Sequence, residues 1–294
     1  MENRFSHRAI LLQRLFPTRE TYLYNWINGK KQPTLAISDR SVQFGDGCFT
    51  TAAVRNGRIQ LLEAHLRRLR WSCERLIMLN VDWARLEREM IKAAQSHTQA
   101  VLKVIISAGS GGRGYSRTGI SKTTRIVSIS SWPYYYQTLQ IQGIKLCTSP
   151  VRLAQNPLLA GIKHLNRLEQ VLIRAHLDQR DGEEALVLDT AGNIVECCTA
   201  NLFWRKGSRV FTPDLTQAGV EGIMRYYLME QMSTAGQICQ VVCCGLSQLF
   251  EADEVVICNS LMPVLPVRQL DDRLFKERSL YNMLRESCHF MKMK

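Results

Sequence analysis

No stretch of this 294-residue sequence stays apolar for the ~18 residues that a membrane-spanning helix needs, which excludes a helical membrane protein. Internal repeats and low-complexity tracts are missing too, so neither a fibre nor a solenoid is encoded. Ten cysteines are too sparse for a disulfide scaffold of this length, and none follow the C-x-x-C spacing of zinc sites. Cys197-Cys198 and Cys243-Cys244 are adjacent pairs, which a strand points to opposite faces. The expectation is therefore no metal, and small buried thiols in a reducing, cytoplasmic setting. Positive charge is in excess, 38 Lys+Arg over 26 Asp+Glu for a net +12, but it is not clustered. Arg67, Arg68, Arg70 and Arg75 alternate with Glu63, Glu74 and Asp82, and no nucleic-acid signature is present. A basic surface of this kind suits small anionic substrates, whose encounter it accelerates; no nucleic acid and no membrane are expected as partners.

The sequence does contain the material of an ordinary globular protein, 46% apolar and 22% charged, at a length natural for two domains. Ala9–Phe16 is broken by Gln13 and Arg14 and lacks a following small-residue cleavage site, so no secretory leader is expected. Residues 1–23 read as an extension of unknown role. Beyond them, Tyr24–Ile27 is a strand turned at Asn28-Gly29, and Thr51–Val54 forms a hairpin through Asn56-Gly57. Leu66, Leu69, Cys73, Leu76 and Ile77 recur at helical spacing, as do Leu86, Met90 and Ala93; Val101–Ser107 and Arg125–Ser131 are strands. Trp132–Gly143 shows no periodicity and reads as a linker, its tyrosines covering an apolar seam. The second half gives a helix at 165–177 and another at 222–235, among strands at 144–149, 185–189, 194–197, 202–204, 210–212, 238–243 and 254–258. The pattern is α+β in two domains, 24–131 and 144–294, with meander sheets rather than regular βαβ units.

Four local features carry chemical meaning. Lys163 sits among apolar neighbours just before a helix, where desolvation would lower its pKa and suit a Schiff-base or general-base lysine; a surface lysine at a helix start fits the same spacing. Glu196 lies in a strand between Val195 and Cys197, either buried with a partner or the outward member of an alternating strand. Gly222 opens a helix whose first N–H groups, of Ile223 and Met224, suit a phosphate. Arg113 and Tyr115 belong to a Gly-rich loop after a strand that is neither a Walker A loop nor a dinucleotide fingerprint. It reads as a mobile carboxylate clamp or as a flexible hairpin tip.

In one order, SDRSVQFGDGCFTT (38–51), AHLRRL (64–69), GSGGRGY (109–115), SPVRLAQNPLLAGIKHLNRLEQVLIR (149–174), ECCTANLFWRKG (196–207), GIMR (222–225) and ICNSLMPV (257–264) make a specific set. The chain resembles the fold-type IV family of pyridoxal-phosphate enzymes from about residue 25 to 267. GSGGRGY and GIKHLNRLEQ resemble its 4-amino-4-deoxychorismate lyase branch more than its D-amino-acid or branched-chain aminotransferases, which remain the alternative. The resemblance implies a small N-terminal α/β domain and a larger C-terminal domain with a barrel-like sheet. It implies pyridoxal 5'-phosphate as cofactor, held covalently by Lys163, with Glu196 on the pyridine nitrogen. Arg68, Ile223, Met224 and Ser260 would take the phosphate. Arg113, Tyr115 and Asn259 would face the substrate. Freed Lys163 would act as the base in an elimination that yields 4-aminobenzoate and pyruvate for folate biosynthesis. A homodimer closing each pocket with a partner loop, and an upstream aminodeoxychorismate synthase as a further partner, are implied likewise. Two departures stand out: Ala108 occupies a position where related lyases often carry Arg, and Asn259-Ser260 replaces the Gly-Thr or Thr-Thr of the aminotransferases, which leaves the role of Asn259 open.

Overall fold

Asn28 and Gly29 both take positive φ, 52° and 80°, the geometry of a tight hairpin turn between two strands. They join β1 (Tyr22–Ile27) to β2 (Lys30–Lys31) in the computed structural model, which describes residues 22–288. The extension expected at 1–23 lies outside the described residues except for Tyr22 and Leu23, which open β1. The first sheet continues with β3 (Gly47–Arg55), β4 (Arg58–Ile59), β5 (Gln99–Ser107) and β6 (Thr124–Ser130), in the order β2-β1-β6-β5-β3-β4. Its pairings are antiparallel.

Helix α1 (Arg40–Phe44) precedes β3, and Asp39 caps it by accepting from the Ser41 N–H at 2.9 Å. Helix α2 (Leu62–Arg75) buries Leu66, Leu69 and Cys73 against β3, and Asp82 caps α3 (Trp83–Ala94), which buries Leu86, Met90 and Ala93. The expected helical stripe runs one turn too far. Ile77 lies beyond α2 at φ 56° and is 73% exposed.

The segment expected to be an aperiodic linker contains helix α4 (Tyr136–Gln142). It leads into β7 (Ile144–Thr148), α5 (Leu168–Leu177), β8 (Glu184–Leu188), β9 (Ile194–Cys197), β10 (Asn201–Lys206) and β11 (Arg209–Pro213). Helix α6 (Ile223–Thr234), β12 (Cys239–Val242), α7 (Ser247–Phe250), β13 (Glu254–Cys258), β14 (Leu265–Leu270), β15 (Arg273–Leu274) and α8 (Ser279–Ser287) follow. This second sheet runs β12-β11-β10-β13-β14-β7-β8-β9, with β15 on β14. Its edges approach each other, since Ile194 N–H donates to Cys244 C=O at 2.8 Å just past β12. The sheet is thus curled like part of a barrel. The expected meander holds only in part. β7-α5-β8 and β11-α6-β12 are parallel crossover units, because a helix long enough to span the sheet returns the chain in the same direction.

The two sheets are stitched by the segment that carries Lys163. The short β4 leaves the Gly47–Thr50 half of β3 unpaired on one side, and residues 163–165 take that edge. Phe49 N–H donates to Lys163 C=O at 2.9 Å, and Leu165 N–H to Gly47 C=O at 3.0 Å. On its other side the same segment meets the approach to α6, with Gly161 N–H on Gly219 C=O and Glu221 N–H on Gly161 C=O, both 3.0 Å. Buried backbone groups are satisfied from both directions, so the lysine is held on a rigid strip between two cores.

Candidate functional site

A cavity of about 610 Å³ opens between the sheets, within the size range of small-molecule sites. Seven of the nine residues singled out from the sequence meet on its wall: Arg68, Lys163, Glu196, Ile223, Met224, Asn259 and Ser260.

Lys163 lines the cavity, half-buried, with its Nζ 4.8 Å from the centre of the Phe49 ring. Burial, reinforced by the charges of Arg68 and Arg167, depresses its amine from the usual 10.5 to about 7, while Glu196 opposes the shift. A neutral amine is thereby available near physiological pH. The surface-lysine alternative is excluded by this placement.

Glu196 is 5% exposed, because the whole of β9 is covered on both faces. Its Oε2 accepts from Val220 N–H at 2.8 Å. Burial pushes its carboxyl up from 4.5 to about 7, against the opposing pull of that N–H, Arg167 and Lys163. The acid and the amine thus share one water-poor site and titrate as a pair.

Helix α6 begins at Gly222 with no side-chain cap, leaving its first N–H groups directed at the cavity end. The glycine is required there by space. A Cβ would lie 1.9 Å from Asn201 Oδ1, while Asn201 Nδ2 donates to Val220 C=O at 2.9 Å. Arg68 projects from α2 to the same wall, and its Nε is shielded from solvent without a hydrogen-bond partner. Burial lowers its guanidinium to about 10. An uncapped helix start, an unpartnered guanidinium nitrogen, the Ser260 hydroxyl and the glycine cradle together fit a phosphate group; Lys163 and Glu196 fit an aldehyde-bearing pyridine ring beside it.

Asn259 lines the cavity, but its amide builds the wall. Its Oδ1 accepts from Leu261 and Met262 N–H, both at 2.9 Å, and its Nδ2 donates to Thr199 C=O at 3.1 Å. Arg113 and Tyr115 do not reach this cavity within the chain. Both are exposed, Tyr115 by 88%, with its ring 5.5 Å from Phe44. Nor is their loop loose. The 3%-exposed Arg40 donates to Gly114 C=O and Tyr115 C=O, both at 3.0 Å, and pairs with Asp46 at 2.7 Å. The sequence pointed to mobility because of the glycines, and the clamp lies some seventy residues earlier in the chain.

Sequence reasoning overlooked several groups. Arg167 donates to His164 C=O at 2.8 Å and Ile162 C=O at 2.7 Å, bracing the lysine strip while its charge faces Lys163 and Glu196. Tyr135 and Tyr136 line the cavity instead of only covering a seam. Lys103, opposite Thr51 in the β3–β5 ladder, brings its Nζ 5.2 Å from the Phe49 ring. Thr50 contacts Arg68, and His65 contacts Thr50. His65 was visible three residues before Arg68, but nothing in the spacing joined it to Thr50.

Residues 47–270 match the family model described as amino-transferase class IV. The chain belongs to the class IV aminotransferase family. Among relatives of this class IV chain, the aminodeoxychorismate lyase of Vibrio harveyi is 39% identical over 242 residues, 82% of this chain and 89% of that one. The crystal structure of 4-amino-4-deoxychorismate lyase from Pseudomonas aeruginosa superposes with a TM-score of 0.84 at 38% identity, covering 89% of this chain and 98% of that one. A hypothetical aminotransferase from Mycobacterium tuberculosis, solved in a PLP-bound form, shares the fold with a TM-score of 0.80 at 22% identity, covering 90% and 97%.

Proposed function

We propose that this chain is a pyridoxal-phosphate-dependent 4-amino-4-deoxychorismate lyase, releasing 4-aminobenzoate and pyruvate in folate biosynthesis. The observation that carries the reading is that half-buried Lys163 and buried Glu196 line one cavity with Arg68, Ser260 and the start of α6. The likeness to the Vibrio and Pseudomonas lyases selects the reaction within the family. The cofactor, when bound, supplies an electron-accepting pyridine ring. Arg68, Ser260 and the start of α6 hold its phosphate, and Glu196 holds a proton at the ring nitrogen. Lys163, whose amine gives up its proton near neutral pH, removes a proton from the substrate carbon next to the amine and returns one to the departing enolpyruvyl carbon. Walls such as Phe49, Tyr136 and Leu261 keep water from these transfers. The site would lie between two domains, 24–131 and 144–294, joined at 132–143.

The test supplies substrate from chorismate through the upstream amidating enzyme and follows 4-aminobenzoate and pyruvate. Glutamate formed from an amino donor and 2-oxoglutarate, with no 4-aminobenzoate, would establish the aminotransferase alternative instead.

Gly222→Ala tests the phosphate wall. The new methyl would displace Asn201 or the helix start, so affinity for pyridoxal phosphate is expected to fall about tenfold or more, roughly 1.4 kcal/mol, in an absorbance titration. Unchanged affinity would remove the α6 start from the site.

Arg113 and Tyr115 are exposed on a clamped loop and do not line their own cavity, so they are assigned to the cavity of a second copy in a cytoplasmic homodimer. A substrate with two carboxylates needs a cation there. Arg113→Ala is expected to lower kcat/KM by about 2–5 kcal/mol, mainly through KM, and to leave cofactor bound. Full activity at a monomeric mass in light scattering, or loss of cofactor from Arg113→Ala with KM unchanged, would overturn this assignment.

A further inference from the structure

Among the buried polar groups left over by this mechanism, Thr50 and His65 form a directed chain behind Arg68. Thr50 lies on β3 and is 0% exposed; His65 lies on α2 and is 1% exposed. The Thr50 hydroxyl is 2.6 Å from His65 Nδ1 and accepts from Arg68 Nη2. A hydroxyl has one hydrogen, and a guanidinium has no acceptor. Thr50 accepts from Arg68, and its own hydrogen goes to His65 when the neutral imidazole carries its hydrogen on Nε2, the tautomer that gives the buried hydroxyl hydrogen an acceptor. Burial and the adjacent Arg68 charge hold the ring well below its usual 6.5, in keeping with that form.

We propose that His65 and Thr50 are positioning residues that set the Arg68 guanidinium for the cofactor phosphate. The proposal rests on the phosphate reading above. An arginine side chain free to rotate would lose that freedom when a phosphate binds, and the loss would be subtracted from affinity. Here Nη2 is already tied to Thr50, and the side chain lines the cavity with its Nε shielded and without a partner among the described residues. His65 matters because it takes the hydroxyl hydrogen. Without an acceptor at that place, the hydroxyl is free to turn its hydrogen toward the guanidinium and lose the bond.

The experiment measures dissociation constants of the full chain for pyridoxal phosphate and for phosphate-free pyridoxal, in the wild type, His65→Leu, His65→Asn and Thr50→Val. His65→Leu and Thr50→Val are expected to weaken pyridoxal phosphate about tenfold or more, leaving pyridoxal within about twofold. His65→Asn, which restores an acceptor near the place of Nδ1, should bind pyridoxal phosphate within about threefold of wild type. Should His65→Leu fail to fold, Thr50→Val carries the same comparison with a side chain of matching shape. Equal weakening for both ligands, or no change for either, would overturn the proposal. A wild type that binds pyridoxal as tightly as pyridoxal phosphate would instead overturn the phosphate reading on which it stands.

Discussion

Lys163→Ala protein is expected to form no 4-aminobenzoate above background in a chromatographic assay, a loss of at least about 10²–10⁴-fold from the proton transfers alone. The substitution removes the covalent anchor and the base together. Lys163→Arg should be no rescue: guanidinium keeps its proton at any pH the enzyme meets, while the site depresses the lysine amine to about 7. Stability gives a second readout with a fixed sign. In the unfolded chain the amine is protonated up to about pH 10.5; in the cofactor-free fold it is protonated only up to about 7. The unfolded state thus binds the extra proton between those values, and wild-type stability from this group rises with pH across that window and is lost as pH falls through about 7. Lys163→Met, similar in length and uncharged, lacks this rise. Its melting temperature should exceed that of wild type most at or below pH 7, with the gap closing toward pH 10. A Lys163→Ala enzyme that still turns over, or a gap independent of pH, would sink the assignment of Lys163 as the buried base.

What the sequence made legible follows from how local each feature is. The Asn28-Gly29 turn and the apolar stripe of α2 as far as Cys73 are decided within a few residues, and they stand in the structure. The α4 helix was hidden because Tyr136–Gln142 buries none of its residues fully and so shows no apolar period. The parallel pairing of β7 with β8 depends on what α5 packs against, which no window of sequence contains. The same division holds at the site. Lys163 and Glu196 are conspicuous as polar groups among apolar neighbours, whereas the arms that shape them come from distant segments. Arg40 clamps carbonyls over seventy residues away, and Thr50 joins Arg68 across eighteen. Asn259 shows how much a motif leaves unsaid: it lines the cavity, and its amide also closes the Thr199 and Met262 turns, contacts that its place in the motif did not reveal.

Glu196→Gln is expected to keep the cofactor and lose most turnover. The amide oxygen of glutamine can still accept from Val220 N–H, so the approach to α6 stays in place, and the phosphate contacts lie elsewhere. What disappears is the proton. The site raises the carboxyl to about 7, so it can hold hydrogen at the ring nitrogen near neutral pH, and an amide has none to share in that way. The expected fall is in kcat, by about 10²-fold or more, with KM little changed, since electron acceptance is needed only as the substrate carbon loses its proton. The pH dependence of stability checks the burial independently of catalysis. A carboxyl raised from 4.5 to about 7 contributes stability that is fully present below pH 4.5 and lost as pH rises through about 7, because the folded state alone holds the proton in between. Glutamine does not titrate. The melting temperature of cofactor-free Glu196→Gln should therefore gain on that of wild type as pH rises from about 5 to 8. Near-normal kcat would place another residue at the ring nitrogen. A melting difference that stays constant from pH 5 to 8 would mean that Glu196 is ionised in the fold throughout, and that the buried, proton-holding carboxyl assigned here does not exist.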